Sequence, residues 1–126
     1  MSDEPLGILV AEDNPLIAMD VTVVVEECGC VVIGPVRDTV DAARVLDDSR
    51  PDGALVDIHL QDGAAWSLVE ELTTRNIPFI LTSGSDRRTV PEAWAAAAFL
   101  AKPFMPEDLR EALGQIGVSG CPTDAA

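Results

Sequence analysis

Four short apolar runs punctuate the chain, and each ends in a polar side chain. Gly7-Ile-Leu-Val-Ala11 delivers Glu12 and Asp13, Gly53-Ala-Leu-Val56 delivers Asp57, Phe79-Ile-Leu81 delivers the hydroxyls of Thr82 and Ser83, and Phe99-Leu-Ala101 delivers Lys102. Such runs are too brief for helices, and their apolar character fits strands buried on both faces. A further strand is predicted over Val31-Val-Ile-Gly-Pro-Val36, where Pro35 suits the edge of a sheet. Open parallel sheets bind ligands outside the carboxyl ends of their strands, so these polar endings mark the expected site.

Helical periodicity fills the intervals. Asn14 is placed to cap a helix with Pro15 at its first position, Ile17, Val21, Val24 and Cys28 repeat along one face, and Gly29 stops it. Leu16, Met19 and Val23 form a second apolar stripe, read first as a broadened core face and alternatively as a partner-docking surface. Asp38 and Asp41 resemble a capping box for a helix running to about Ser49, before Arg50-Pro51 breaks it. After a turn at Gln61-Asp-Gly63, Ala65, Leu68, Val69 and Leu72 mark a helix ending near Asn76. A polar segment from Gly84 to Pro91 leaves room for only a short helix, Pro91 to about Ala97, before the last strand. Pro106 opens a final helix with Leu109, Ala112, Leu113 and Ile116 on one side, and Ser119 to Ala126 reads as a loose tail. Strand then helix, five times over, predicts an α/β fold with a parallel sheet covered on both faces.

Composition narrows the function. One domain accounts for 126 residues, of which 48% are apolar. Eight basic against 22 acidic residues give a net charge of −14, which argues against nucleic-acid binding and against attraction to anionic membranes. No run reaches the roughly 20 apolar residues of a membrane span, and the acidic start lacks the order of a signal peptide, so a cytoplasmic protein is expected. Cys28, Cys30 and Cys121 fit neither a zinc knuckle nor a Cys-x-x-Cys pair, and reduced thiols are expected.

Three carboxylates at neighbouring strand ends, Glu12, Asp13 and Asp57, repel one another in a confined crevice unless a cation neutralises them. An all-oxygen donor set that leaves positions for water and a phosphoryl oxygen suits Mg²⁺. A carboxylate nucleophile, a metal, the single lysine and a hydroxyl are the parts that phosphoryl transfer to an aspartate requires. Singly, each residue has a plainer reading as a helix cap, turn former or surface charge; their joint placement favours a phosphoacceptor. His59, the only histidine, lacks an imidazole or thiolate partner and is read as a loop residue that influences access to the acyl phosphate.

Val10-Ala-Glu-Asp-Asn-Pro15, Leu55-Val-Asp-Ile58 and Leu100-Ala-Lys-Pro-Phe104 together resemble the receiver domain of bacterial two-component response regulators. The resemblance implies a flavodoxin-like, doubly wound sheet of strand order 2-1-3-4-5 over residues 1–118, with 119–126 as the tail. It implies that Asp57 accepts a phosphoryl group from a histidine kinase or phosphotransfer protein. By the same likeness Asp13 and Asp57 hold Mg²⁺, Glu12 does so largely through water, and the backbone carbonyl of His59 is a further ligand. Lys102 binds the phosphoryl oxygens through a chain whose next bond, to Pro103, is often cis, and Phe99 takes the aromatic switch position. Ser83-Gly84 resembles a subclass ending this strand in Phe-Ala-Thr-Gly, and spacing to Asp57 and Lys102 selects Ser83 as the phosphoryl-sensing hydroxyl, with Thr82 the alternative.

The chain ends soon after the last helix, so a single-domain regulator acting by docking is expected, as monomer or homodimer, with a downstream protein partner. Alternatives are a phosphate sink or relay shuttle, an interaction module that never turns over phosphate, and a haloacid-dehalogenase-type phosphatase. The last needs a second aspartate two residues after the nucleophile, where His59 stands. Beyond assisting its own phosphorylation and dephosphorylation, no enzyme activity is expected.

Overall fold

The computed structural model describes residues 5–85 and 87–121. Five strands, β1 (Gly7–Ala11), β2 (Val31–Val36), β3 (Gly53–Asp57), β6 (Phe79–Ser83) and β7 (Ala98–Ala101), form one parallel sheet in the order β2-β1-β3-β6-β7. With the small hairpin of β4 (His59–Leu60) and β5 (Gly63–Ala64) set aside, this is the order 2-1-3-4-5 expected from the sequence. Every residue of the central β3 is buried, as its apolar run requires.

Side-chain alternation divides the core into two layers. Val10, Leu55 and Ile80 face α1 (Pro15–Glu27) and α4 (Pro106–Gln115), packing with Val21, Val25, Leu109 and Leu113. Leu9, Val56 and Leu81 face α2 (Thr39–Asp48) and α3 (Trp66–Thr74), packing with Ala42, Leu46, Leu68 and Leu72. Asn14 Oδ1 accepts from the backbone nitrogens of Leu16 and Ile17, and Asp38 Oδ1 accepts from Asp41 N, so both helices have their N-cap bond, the Asp38 half of the expected capping box included.

Pro35 lies on an edge strand, as its missing N–H demands. Between Leu9 and Ala11 the register of β1 with β2 shifts, Leu9 facing Ile33 and Ala11 facing Val36. Gly34 makes that shift at φ 104°, where a Cβ would stand 2.8 Å from the Val36 nitrogen and 3.1 Å from the Val10 carbonyl oxygen.

Three expectations are corrected. The stripe Leu16, Met19 and Val23 is no part of the core: these side chains are 71%, 66% and 55% exposed, because the sheet beneath needs only the opposite face of α1. The short helix at Pro91–Ala97 is absent; two single 3₁₀ turns, Arg87–Thr89 and Glu92–Trp94, cover the distance. Trp94 stacks on Trp66 with ring centroids 5.6 Å apart, and its Nε1 donates to Thr73 Oγ1 at 3.1 Å, so aromatic packing on α3 replaces a helical turn. Two of the three thiols are not free, since Cys28 and Cys121 form a disulfide that closes 93 residues, while Cys30 is buried as a thiol. That bond also fastens the tail at Cys121; its expected looseness from 122 onward lies outside the described residues.

The turn Gln61-Asp-Gly63 is the tip of the hairpin, where His59 pairs with Ala64 and Leu60 with Gly63. Asp62 accepts from Thr39 N with both carboxylate oxygens at 3.1 Å and from Thr39 Oγ1, tying this hairpin to the start of α2. The Thr39 hydroxyl and backbone N–H hold the Asp62 carboxyl below the usual aspartate value of 3.8. A lowered carboxyl pKa adds stability above about pH 4, lost as pH falls through the folded-state value. Asp62→Ala should therefore flatten the acid limb of stability against pH relative to the parent, with little change in urea midpoint difference above pH 5. Identical acid limbs would deny the clamp its role.

Candidate functional site

β1 ends by placing Glu12 in the interior, 2% exposed, with Glu12 N donating to Val36 O at 2.9 Å. Asp13 follows at the rim, half-buried, and Asp57 closes β3 at 4% exposure. Carboxylate oxygens of Glu12, Asp13 and Asp57 lie within 4.8 Å of one another. Lys102 reaches in from the end of β7, its Nζ 2.7 Å from Asp57 Oδ2 and 2.8 Å from Glu12 Oε1. Its backbone is fixed by Lys102 N donating to Ser83 O at 2.8 Å, and its peptide bond to Pro103 is cis.

The remaining acceptors have backbone donors. Asp57 Oδ1 accepts from His59 N at 3.0 Å, and Glu12 Oε2 from Asn14 N at 3.0 Å. Burial is the largest influence on Glu12 and raises its pKa, against the lowering by Lys102 and the Asn14 N–H. For Lys102 burial acts to lower the pKa, but hydrogen bonds to Asp57 and Glu12 outweigh it and the value is raised. The lysine is thus a firmly held cation. Three carboxyl groups gathered around one ammonium are an all-oxygen, acid-rich donor set, which matches a divalent ion.

Strand parity sorts the other predicted residues. Leu55, Ile80 and Leu100 belong to the layer under α1 and α4, so Asp57, Thr82 and Lys102, each two residues on, face that side. Leu81 and Phe99 belong to the opposite layer, which places Ser83 there. Thr82 is the register partner of Asp57, and Ser83 that of Ala101. Ser83 is fully buried and its Oγ accepts from Ser85 N at 2.9 Å. Phe99 is half-buried beside Leu81. His59 exposes its ring on the hairpin, while its N–H serves Asp57.

Sequence reading did not anticipate two features. The hairpin, with Gln61 N donating to Arg37 O at 2.9 Å, braces the segment after Asp57; the Asp-Gly pair at 62–63 was its signal. A cleft of about 370 Å³ runs from Glu12 and Asp13 along α1, lined also by Pro15, Met19 and Arg37.

The sequence matches the response regulator receiver domain over residues 8–114. This chain belongs to that family. It is 36% identical over 118 residues to the phyllosphere-induced regulator PhyR of Methylorubrum extorquens, covering 90% of this chain and 44% of PhyR. SdrG of Sphingomonas melonis Fr1, 29% identical, superposes with a TM-score of 0.78 over 92% of this chain and 98% of SdrG. The receiver domain of sensor histidine kinase PA1611 from Pseudomonas aeruginosa PAO1, 27% identical, superposes with a TM-score of 0.77 over 90% of this chain and 99% of its own. It was solved with a magnesium ion coordinated in its active site cleft. The chain spans about half the length of the curated relatives it matches. Among the described residues, no helix is long and apolar enough to cross a membrane.

Removing the lysine leaves two buried carboxylates facing each other without a cation. Lys102→Met should lower the unfolding free energy by about 2–4 kcal/mol in metal-free buffer at neutral pH, measured by urea titration. An unchanged midpoint would mean that the ion pairs contribute nothing net.

Proposed function

We propose that this protein is a response regulator whose receiver, spanning residues 1–118, takes a phosphoryl group onto Asp57 from a phosphohistidine donor and signals by docking to proteins. The observation that carries this reading is the Asp57 carboxylate itself, buried at the tip of the central strand with Lys102 Nζ at 2.7 Å and two further carboxylates beside it. Asp57 supplies the attacking oxygen, and Lys102 is placed to move onto the phosphoryl oxygens as charge shifts outward. Asp13, Asp57, Glu12 through water and the His59 carbonyl are the residues that would hold Mg²⁺. When bound, the ion neutralises the carboxylates and the incoming phosphoryl group. Ser83, the last residue of β6, reads the new group across the strand ends: its hydroxyl keeps accepting from the Ser85 N–H and donates its own O–H to a phosphoryl oxygen, drawing the segment after Gly84 inward, with Phe99 occupying the space released.

Leu16, Met19 and Val23 on α1, together with Met105, 58% exposed at the start of α4, form the docking surface for the donor's helical bundle. Full burial of such a side chain contributes about 1.5–3 kcal/mol, so three or four suffice for a transient complex. The exposed stripe favours this use of α1 because no packing demand within the domain accounts for it.

Incubation with acetyl phosphate and Mg²⁺ should add one phosphoryl group by mass, and Asp57→Asn should add none while keeping the fold. Uptake by that variant with the same stoichiometry would move the acceptor elsewhere. Millimolar Mg²⁺ should raise the melting temperature, by about 2–3 kcal/mol of linkage at a hundredfold excess over Kd, and Asp13→Ala should cancel the rise. Met19→Glu with Val23→Glu should slow transfer from the kinase at least several-fold but leave acetyl phosphate uptake unchanged; equal slowing of both would exclude a docking role.

A further inference from the structure

The receiver reading leaves one buried hydroxyl without a task. Thr82 is 1% exposed, and its Oγ1 has no hydrogen-bond partner among the described residues. A buried hydroxyl left unpaired is unfavourable, whereas valine fills the same shape with no polar atom to satisfy. Ser83, its neighbour, already has the Ser85 N–H.

Thr82 stands where the chemistry converges. It is the register partner of Asp57 and shares its face of the sheet, while Ser83 points to the other. Lys102 follows β7, yet its ammonium touches Asp57 at the end of β3, and β6 lies between them. At about 4.8 Å per strand spacing the two outer tips are about 10 Å apart. The lysine stem therefore crosses the tip of β6 on the face that Thr82 occupies.

We propose that Thr82 is a positioning residue held in reserve for the acyl phosphate, an inference that rests on Asp57 being the phosphoacceptor. In the free protein Lys102 Nζ donates to Asp57 Oδ2 and His59 N to Oδ1. Transfer forms a bond between an Asp57 oxygen and phosphorus and breaks the donor's phosphorus–nitrogen bond, whose electron pair stays with the imidazole, which takes up a proton. Lys102 then follows the negative charge onto the phosphoryl oxygens, and the carboxyl group loses that donor. The Thr82 hydroxyl, on the same face, donates to the carboxyl in its place.

Turnover reverses the demand. In hydrolysis a water oxygen attacks phosphorus, the bond to the Asp57 oxygen breaks, the electron pair returns to the carboxylate, and the water proton passes to the released phosphate or solvent. A donor aimed at the oxygen where charge develops speeds that step. Thr82 thus shortens the lifetime of the phosphorylated state.

The test compares wild type, Thr82→Val and Thr82→Ser, each phosphorylated with acetyl phosphate at saturating Mg²⁺, freed of donor, and followed by intact mass. Thr82→Val should retain the phosphoryl group about three to ten times longer, the range that one hydrogen bond covers. Thr82→Ser, which keeps the hydroxyl, should decay as wild type. The unphosphorylated Thr82→Val protein should melt at or above the wild-type temperature, an outcome that a merely structural hydroxyl would reverse. An unchanged or shortened lifetime in Thr82→Val, or a Thr82→Ser protein as slow as Thr82→Val, overturns the proposal. A wild-type protein that gains no phosphoryl group overturns the phosphoacceptor reading, and this proposal with it.

Discussion

Everything at the carboxyl edge of the sheet is arranged around surplus negative charge that one ammonium holds in place. Glu12 and Asp57 are too deeply buried for water to relieve their repulsion, and Lys102 is hydrogen-bonded to both. Its raised pKa and that of Glu12 report the same situation from its two sides: burial drives the acid towards its neutral form, and the paired acids keep the base charged. Such an arrangement is tolerable only because the strands beneath are rigid. β3 is buried along its whole length, and its neighbours β1 and β6 bring the partners to fixed distances. The cost of assembling like charges is thus borne by packing that lies entirely outside the site.

That division explains why the periphery is stitched so differently from the centre. Beyond Ile58, whose N–H still donates to Thr82 O, the segment after Asp57 leaves the sheet, folds on itself as a two-residue-per-strand hairpin and is tied to α2 through Asp62 and Thr39. The segment after Ser83 likewise leaves the sheet, and the Trp66–Trp94 stack pins its far end against α3. Both loops are anchored away from the carboxylates and meet them through single backbone or side-chain contacts, His59 N to Asp57 and Ser85 N to Ser83 Oγ. A change in charge at Asp57 acts on those contacts first.

Much of this was legible in the chain because short apolar runs ending in polar residues admit few folds. The runs at 7–11, 53–57 and 79–83 are strands with those bounds, and the capping roles of Asn14 and Asp38 follow from side chains that accept backbone N–H bonds just before a helical pattern begins. What escaped was tertiary. Alanines and a tryptophan between Pro91 and Ala97 have helical propensity, but stacking of Trp94 on Trp66 outweighs the few hydrogen bonds that one or two helical turns would add. Leu16, Met19 and Val23 look like core by composition; only the position of the sheet decides which of two apolar stripes on α1 is covered. The pairing of Cys28 with Cys121 depends on where the chain returns after α4, and spacing along the sequence carries no trace of that path.

Adjacent residues on a strand face opposite layers, and at the end of β6 that elementary alternation separates two hydroxyls that a motif would treat as interchangeable. Ser83 lies in the layer of Leu81 and Phe99, next to the segment that leads away from the site, and Thr82 in the layer of Ile80 and Leu100, beneath the reach of Lys102. A hydroxyl in the first layer is suited to pass a change outward, since its oxygen is bonded to Ser85 N in the segment that leaves the sheet. One in the second layer is enclosed by Asp57, the lysine stem and the packed strands, where nothing can move far, and its influence is confined to the carboxyl group itself. If Asp57 is phosphorylated as proposed, the same pleat that buries the strand assigns transmission to one side chain and control of the bond's lifetime to the other.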